Sequence, residues 1–214
     1  MDLNIFFNQH KSSFYRKKEL ILRGEDDLPY VFYIKQGFVR VYGVSEEGEE
    51  LTLAILSPAD FFPVTWTFDH IPNHYYLEAI TNTEVVRVHQ DQFLQFIQTH
   101  PKIFHDLASM VLSQFGQLWN RIEYLTFGNA YTKVASTLLV LAARFGEKDQ
   151  QEVVINVPLT HKDIAALVGI TRETACLEIK KLERKGVIGH LGRVFVVKDV
   201  NQLEEESNGQ LMLQ

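Results

Sequence analysis

The segment LTHKDIAALVGITRETACLEIKKLERKGVI, Leu159 to Ile188, carries the punctuation of two capped helices joined by a sharp turn. Thr160 is suited to cap a helix, and Asp163 stands three positions on, where its carboxylate can reach back to the cap. Ile164, Ala165, Leu167 and Val168 supply an apolar face, and Gly169 ends the helix because it alone enters the left-handed conformation freely. Thr171 caps the second helix, whose Ala175, Ile179 and Leu182 recur at spacings of four and three. Arg172, Glu173, Thr174, Leu177 and Lys180 are left on the outward side. The pattern predicts a helix-turn-helix, and its outward side is what a DNA major groove would meet.

The residue chemistry agrees with that geometry. An arginine makes two hydrogen bonds to guanine O6 and N7, and a glutamate accepts one from cytosine N4. Arg172 and Glu173 stand in the first turn, where a recognition helix touches bases. An isolated Arg-Glu pair is ordinary surface charge, so the reading rests on its context. That context continues into GVIGHLGRVFVV, where Gly186, Gly189 and Gly192 punctuate two short β-rich runs and predict a wing.

TRETACLEIKKLERKGVI, with LTHKDIAALVG before it, resembles the winged helix-turn-helix of the CRP/FNR family of bacterial transcription regulators. The order of the remaining segments matches that family over nearly the whole chain. The resemblance implies that Arg172 and Glu173 read bases and that Thr160, His161, Thr171 and Thr174 lie near phosphates. Many members carry a second base-reading arginine four residues after the glutamate. Leu177 occupies that position here; it can touch a thymine methyl but cannot read guanine. Glu178 stands where the family usually has an apolar residue, and the sequence offers no reason for it.

Composition sets the outer bounds. The 214 residues, 46% of them hydrophobic, are enough for one large or two small cores. No apolar run approaches the roughly 18 residues that span a bilayer, and MDLNIFFNQHK lacks the pattern of a secretion signal. A single cysteine, Cys176, leaves no internal disulfide or four-cysteine cluster and fits a reducing cytoplasm. The formal charge of −6 is unevenly distributed: residues 1–128 hold 10 Lys and Arg against 16 Asp and Glu, residues 129–198 hold 11 against 7, and residues 199–214 hold none against 4. Positive charge is therefore concentrated in the segment carrying the helix-turn-helix, as attraction to phosphates requires. The acidic end, with Glu204, Glu205 and Glu206, is expected to be a solvated or frayed tail.

Residues from about Phe14 to His89 read as regularly spaced short strands, among them VFYIKQGFVRVYGV and ELTLAIL. YIKQGFVRVY is expected to form a hairpin bent at Gly37. Strands without intervening helices suggest a jelly roll or barrel rather than an α/β sheet, and the resemblance implies an effector-type β-roll similar to that of cyclic-nucleotide-binding proteins. A cyclic phosphate requires a cation and backbone donors. Asp60-Phe61-Phe62 and His74-Tyr75-Tyr76 stand where relatives supply those groups, and no Lys or Arg occurs between Arg40 and Arg87, so cyclic-nucleotide capture is not expected. Phe61, Phe62, Trp66, His74, Tyr75 and Tyr76 either fill the core of the roll or line a pocket for an apolar or aromatic effector. His70 and His74 are four apart, but Pro72 between them argues for a loop, and neither metal nor cofactor is expected.

A short helix over Asp91–Thr99 precedes a long one from about Lys102 to Phe127. Ala108, Val111, Phe115, Leu118, Ile122 and Leu125 alternate spacings of three and four, the pattern of a two-helix seam. Ile103, Leu107, Met110 and Trp119 form a second stripe suited to packing on the β-roll. The resemblance implies that this helix makes a homodimer, presenting two recognition helices to a near-palindromic site. Gly128-Asn129 marks a boundary and a candidate hinge, with Asn129 capping a helix to about Phe145. FGEKDQQEV reads as a charged loop, solvated or in contact with RNA polymerase.

The expectation is an α+β chain in three parts: a β-roll over 1–101, a dimerisation helix over 102–128, and a winged helix-turn-helix with acidic tail over 129–214. It is read as a cytoplasmic homodimeric transcription regulator, an activator, that binds double-stranded DNA and RNA polymerase. The effector is a small molecule other than a cyclic nucleotide, or there is none. The alternative is a ligand-sensing module acting through protein partners. An enzyme is not expected, since no nucleophile–base pair, phosphate loop or metal set can be assembled.

Overall fold

A computed structural model describes residues 3–24, 26, 29–63, 67–68 and 73–207. The chain divides into two compact units, Met1–Ser113 and Gln114–Gln214, with the division inside one long helix. The first unit runs through α1 (Leu3–Phe7), β1 (Ser12–Tyr15), β2 (Leu20–Leu22), β3 (Tyr30–Gln36), β4 (Val39–Val44), β5 (Glu50–Leu56), β6 (Phe61–Phe62), β7 (Tyr76–Ala79), β8 (Thr83–His89) and α2 (Gln90–Gln98), and takes in the start of α3 (Pro101–Phe127).

Its strands form two antiparallel sheets, ordered β1-β8-β3-β6 and β2-β7-β4-β5. The stretch Val31–Ile34 of β3 is an unbroken apolar run because both of its faces are covered there, while Lys35 and Gln36 at its end are exposed. Phe32 and Ile34 join Val39, Val41, Leu77 and Val85 in one core, while Val31 and Tyr33 join Val86, Val88, Phe93 and Phe96 in another. Phe6 and Phe7 enter the second core from α1, where Phe7 stacks on Tyr33 at 4.2 Å and Phe6 on Phe96 at 4.1 Å.

The expected hairpin at Gly37 does not form. β3 pairs with β6 and β8, and β4 with β5 and β7, so the chain crosses from one sheet to the other at this point. Gly37 makes the corner with φ of 87°, and a Cβ there would lie 2.6 Å from Thr83 Oγ1. Local turn chemistry specified a bend, but the pairing was decided by strands far away in sequence. Along α3, Ile103 and Leu107 are buried in the α1–α2 core and Met110 packs at its edge. Trp119 does not continue this stripe: it is exposed and stands edge-to-face with Phe115 at 5.5 Å.

The second unit holds the end of α3, α4 (Ala130–Phe145), β9 (Gly146–Asp149), β10 (Glu152–Ile155), α5 (His161–Val168), α6 (Arg172–Arg184), β11 (Ile188–Leu191), β12 (Val194–Val197) and α7 (Val200–Glu206). Its sheet is ordered β11-β12-β10-β9. Val134, Leu138, Leu139, Ile155, Ile164, Ile179, Leu182, Ile188 and Phe195 are fully or almost fully buried.

Two sequence expectations are corrected in this unit. FGEKDQQEV is a hairpin rather than a loop, with Asp149 opposite Glu152 and Gln150 at φ of 55°. Its charged outer strand is held because β10 also pairs with β12. The acidic end is likewise ordered as far as Ser207: Asp199 caps α7 by accepting from Gln202 N–H at 2.9 Å, and Leu203 is fully buried. Glu206 accepts hydrogen bonds from Lys185 at 2.7 Å and from the Tyr131 hydroxyl at 2.8 Å. Pairing with Lys185 and Tyr131 holds the Glu206 carboxylate below its ordinary pKa despite some burial. Two neighbours distant in sequence thus convert a run of like charges into a docked helix.

Candidate nucleic-acid interface

The helix-turn-helix is built as its caps require. Thr160 Oγ1 accepts from the Asp163 N–H at 3.3 Å, and Asp163 Oδ2 accepts from the Thr160 N–H at 2.7 Å, completing a capping box at α5. Gly169 closes the helix at φ of 73°, in the left-handed region. Two residues later Thr171 Oγ1 accepts from Thr174 N–H at 3.2 Å and lies 2.9 Å from the Thr174 hydroxyl. Both threonine hydroxyls are therefore pinned at the N-terminus of α6, where the helix dipole favours an anion.

Ala175, Ile179 and Leu182 are completely buried, and they fix α6 by its inner face. Arg172, Glu173, Leu177 and Lys180 are exposed on the other side, Leu177 to 61%. Leu177 thus leaves most of its aliphatic side chain open to solvent. Glu178 lies on the inner side, 8% exposed, and its carboxylate is met by Lys181 Nζ at 2.6 Å. One turn of helix thus supplies the counter-charge that an apolar position would not need.

His161, the first residue of α5, is half-buried between the helix and the wing. Its ring lies 5.7 Å from that of His190 and 6.2 Å from that of Phe195. Burial, and after it the neighbouring His190, push its pKa below the ordinary value, and Arg172 and Lys180 act in the same direction. His190 Nδ1 lies 2.8 Å from Glu183 Oε1, so the wing is fastened to α6. Sequence reasoning had no signal for this pair, because residues seven apart on a helix and a strand become neighbours only through the turn at Gly186. The wing turns at Gly192, φ 63°, which leaves Arg193 exposed at its tip.

The six residues considered for an effector are placed differently. Phe61 is buried against Phe93 at 5.6 Å, whereas Phe62 points the other way and packs on the core between the sheets. Tyr76 stacks on Tyr42 at 5.3 Å, and His74 and Tyr75 are exposed. The carbonyl of His74 lies against Gly24, where a Cβ would approach it to 2.7 Å. Trp66, His70 and Pro72 lie outside the described residues. Arg40 points away from the core to which Val39 and Val41 belong; it pairs with Glu50 at 2.8 Å and Glu78 at 3.3 Å and covers the Tyr42 ring at 4.1 Å. Among the described residues no three His, Cys, Asp or Glu side chains converge where a metal would bind, and no helix is long and apolar enough to cross a membrane.

Two parts of the chain match known protein families. Residues 13–100 match the cyclic nucleotide-binding domain, and residues 132–206 match the Crp-like helix-turn-helix domain. The chain is 28% identical over 173 residues to the CRP-like cAMP-activated global transcriptional regulator of Mycobacterium tuberculosis, covering 81% of this chain and 77% of that protein. It is 29% identical over 189 residues to the cAMP-activated global transcriptional regulator CRP of Salmonella typhimurium, covering 88% and 89%. The structure of a CooA mutant from Carboxydothermus hydrogenoformans superposes with a TM-score of 0.79 at 24% identity, covering 94% of this chain and 89% of that one, which shows a shared fold. With a β-roll, a long helix and a Crp-like helix-turn-helix in this order, the chain belongs to the CRP/FNR family of transcription regulators.

Proposed function

We propose that the protein is a sequence-specific transcription activator that binds a near-palindromic site as a homodimer in the cytoplasm. Arg172, Glu173 and Leu177 meet the bases, while Thr160, His161, Thr171 and Thr174 meet the phosphates. The observation that carries this reading is the two-sided character of α6: its inner face is sealed, and its N-terminal outer face presents a guanidinium, a carboxylate and an aliphatic side chain to solvent. That trio offers a guanine contact, a cytosine contact and a thymine-methyl contact. Dimerisation is supported by α3, along which Leu112, Phe115, Leu118 and Ile122 form an exposed apolar stripe at spacings of three and four. An exposed hairpin, β9–β10, with Glu147, Lys148 and Asp149 in solvent, suits a contact with RNA polymerase.

The activator is proposed to act without a cyclic nucleotide, answering to another small molecule or to none. Relatives named for cAMP activation share the roll, but a cyclic phosphate needs a free cation. Arg40 is committed to two carboxylates and Arg87 lies over the Tyr30 ring at 5.3 Å, with no Lys or Arg between them in sequence. The test is selection of a binding site from random duplex DNA by the purified chain, followed by titration with and without cyclic AMP. The expected result is an inverted repeat bound with steep salt dependence and unchanged by the nucleotide. Failure to select any sequence would overturn the reading in favour of a module acting through protein partners.

A further inference from the structure

Arg121, near the end of α3, is half-buried and has no part in contacting DNA in the reading above. Its guanidinium donates a hydrogen bond of 2.8 Å to the backbone carbonyl of Leu167, 46 residues away. Leu167 is in the last turn of α5, among the carbonyls that a helix leaves without an internal partner. The neighbouring Ala165 carbonyl is already satisfied by the N–H groups of Gly169, at 2.9 Å, and Ile170, at 3.2 Å. The cation therefore sits at the negative end of the α5 dipole, beside the turn from which α6 departs. Burial lowers the pKa of Arg121, yet a guanidinium stays charged at any physiological pH.

A second anchor lies one turn further along. Tyr124 is 3% exposed in the same unit, and its carbonyl accepts the N–H of Gly128 at 3.0 Å. Gly128 leaves no room for movement of a larger residue, since a Cβ there would lie 2.5 Å from the Tyr124 carbonyl and 2.9 Å from Thr132 Oγ1. The Gly128-Asn129 junction, a candidate hinge from sequence, is thus closely packed, and just before it Arg121 ties the last turns of α3 to the end of α5 while Tyr124 is buried within the same unit.

We infer that Arg121 is a positioning residue for DNA reading: by holding the end of α3 against the turn between α5 and α6, it sets the direction in which each recognition helix leaves the dimer helix. The inference rests on the dimeric DNA-binding function proposed above. It requires that loss of the contact leave each reading head intact while loosening the spacing between two heads.

The experiment uses the full chain and synthetic duplexes carrying the inverted repeat that the wild type selects, with half-site separation altered by one and two base pairs in each direction. A single half-site duplex serves as control. The wild type should bind the selected separation about tenfold or more tightly than the altered ones, because only matched geometry lets both heads engage. R121M removes the donors and keeps the aliphatic bulk. It should flatten the profile to within about twofold while binding the single half-site as wild type does, and R121K should restore part of the optimum. A wild-type spacing profile in R121M, or an equal loss on every duplex including the half-site, would overturn the inference. If R121M fails to fold, R121K decides: a broadened optimum supports the inference and an unchanged one overturns it. A wild type without any spacing preference would instead overturn the dimeric reading itself.

Discussion

Arg172, Glu173 and Leu177 share one exposed face, but they have different consequences for binding. A bidentate arginine–guanine contact is worth about 1–3 kcal/mol, so Arg172→Ala should weaken binding by roughly 5- to 150-fold for each half-site and relax preference at one base pair of the half-site. Fluorescence anisotropy on the selected duplex and on a scrambled one measures both effects. Leu177→Arg should create a guanine preference where the wild type has none, read by repeating the selection. His161 provides a pH signature. Its pKa in the fold lies below the unfolded value because burial and His190 oppose its charge, so the folded state binds fewer protons. Stability is complete above the ordinary histidine pKa of about 6.5 and falls as pH drops through it toward the lower folded value. Urea unfolding between those limits should show this loss in the wild type and less of it in His161→Asn. A phosphate placed beside the ring has the opposite effect and favours the charged form, so DNA affinity should rise on acidification in the wild type more than in the variant.

At the scale of elements, the caps and the tail make separate contributions. Thr160→Ala removes the acceptor of the capping box and should cost about 1 kcal/mol, whereas Gly169→Ala forces a Cβ into left-handed backbone at a cost of about 1–2 kcal/mol. The residues responsible for both features were legible because a cap is local: its donor, acceptor and backbone angles lie within four positions. Strand pairing is not local. The bend at Gly37 was legible, but its role as a corner between sheets was not, since β3 is claimed by a partner as far away as Tyr30 is from His89 and β4 by one as far away as Val39 is from Ala79. The order of α7 was illegible for a similar reason: the four carboxylates between Asp199 and Glu206 read as solvated until Lys185 and Tyr131 are brought beside Glu206. Leu203→Ala should therefore cost about 2–5 kcal/mol in chemical unfolding, the loss expected for a buried leucine and not for one in a frayed tail.

At the scale of the whole molecule, α3 carries more exposed large apolar side chains than any other element among the described residues, and it is where assembly is expected. Phe115→Glu together with Ile122→Glu places charge in the middle of that stripe. Sedimentation should show a monomer with an unchanged circular dichroism spectrum, and affinity for the inverted repeat should fall toward that of a half-site. The helix-turn-helix, its caps, the wing glycines and the concentration of positive charge all follow from the order of residues, because each depends on neighbours or on composition. The sheet corner at Gly37, the docking of α7 and the contact of Arg121 with Leu167 depend on groups that meet only after the chain has folded. Hydrogen bonds and ion pairs act over a few ångströms, and only tertiary packing decides which distant residues come within that reach.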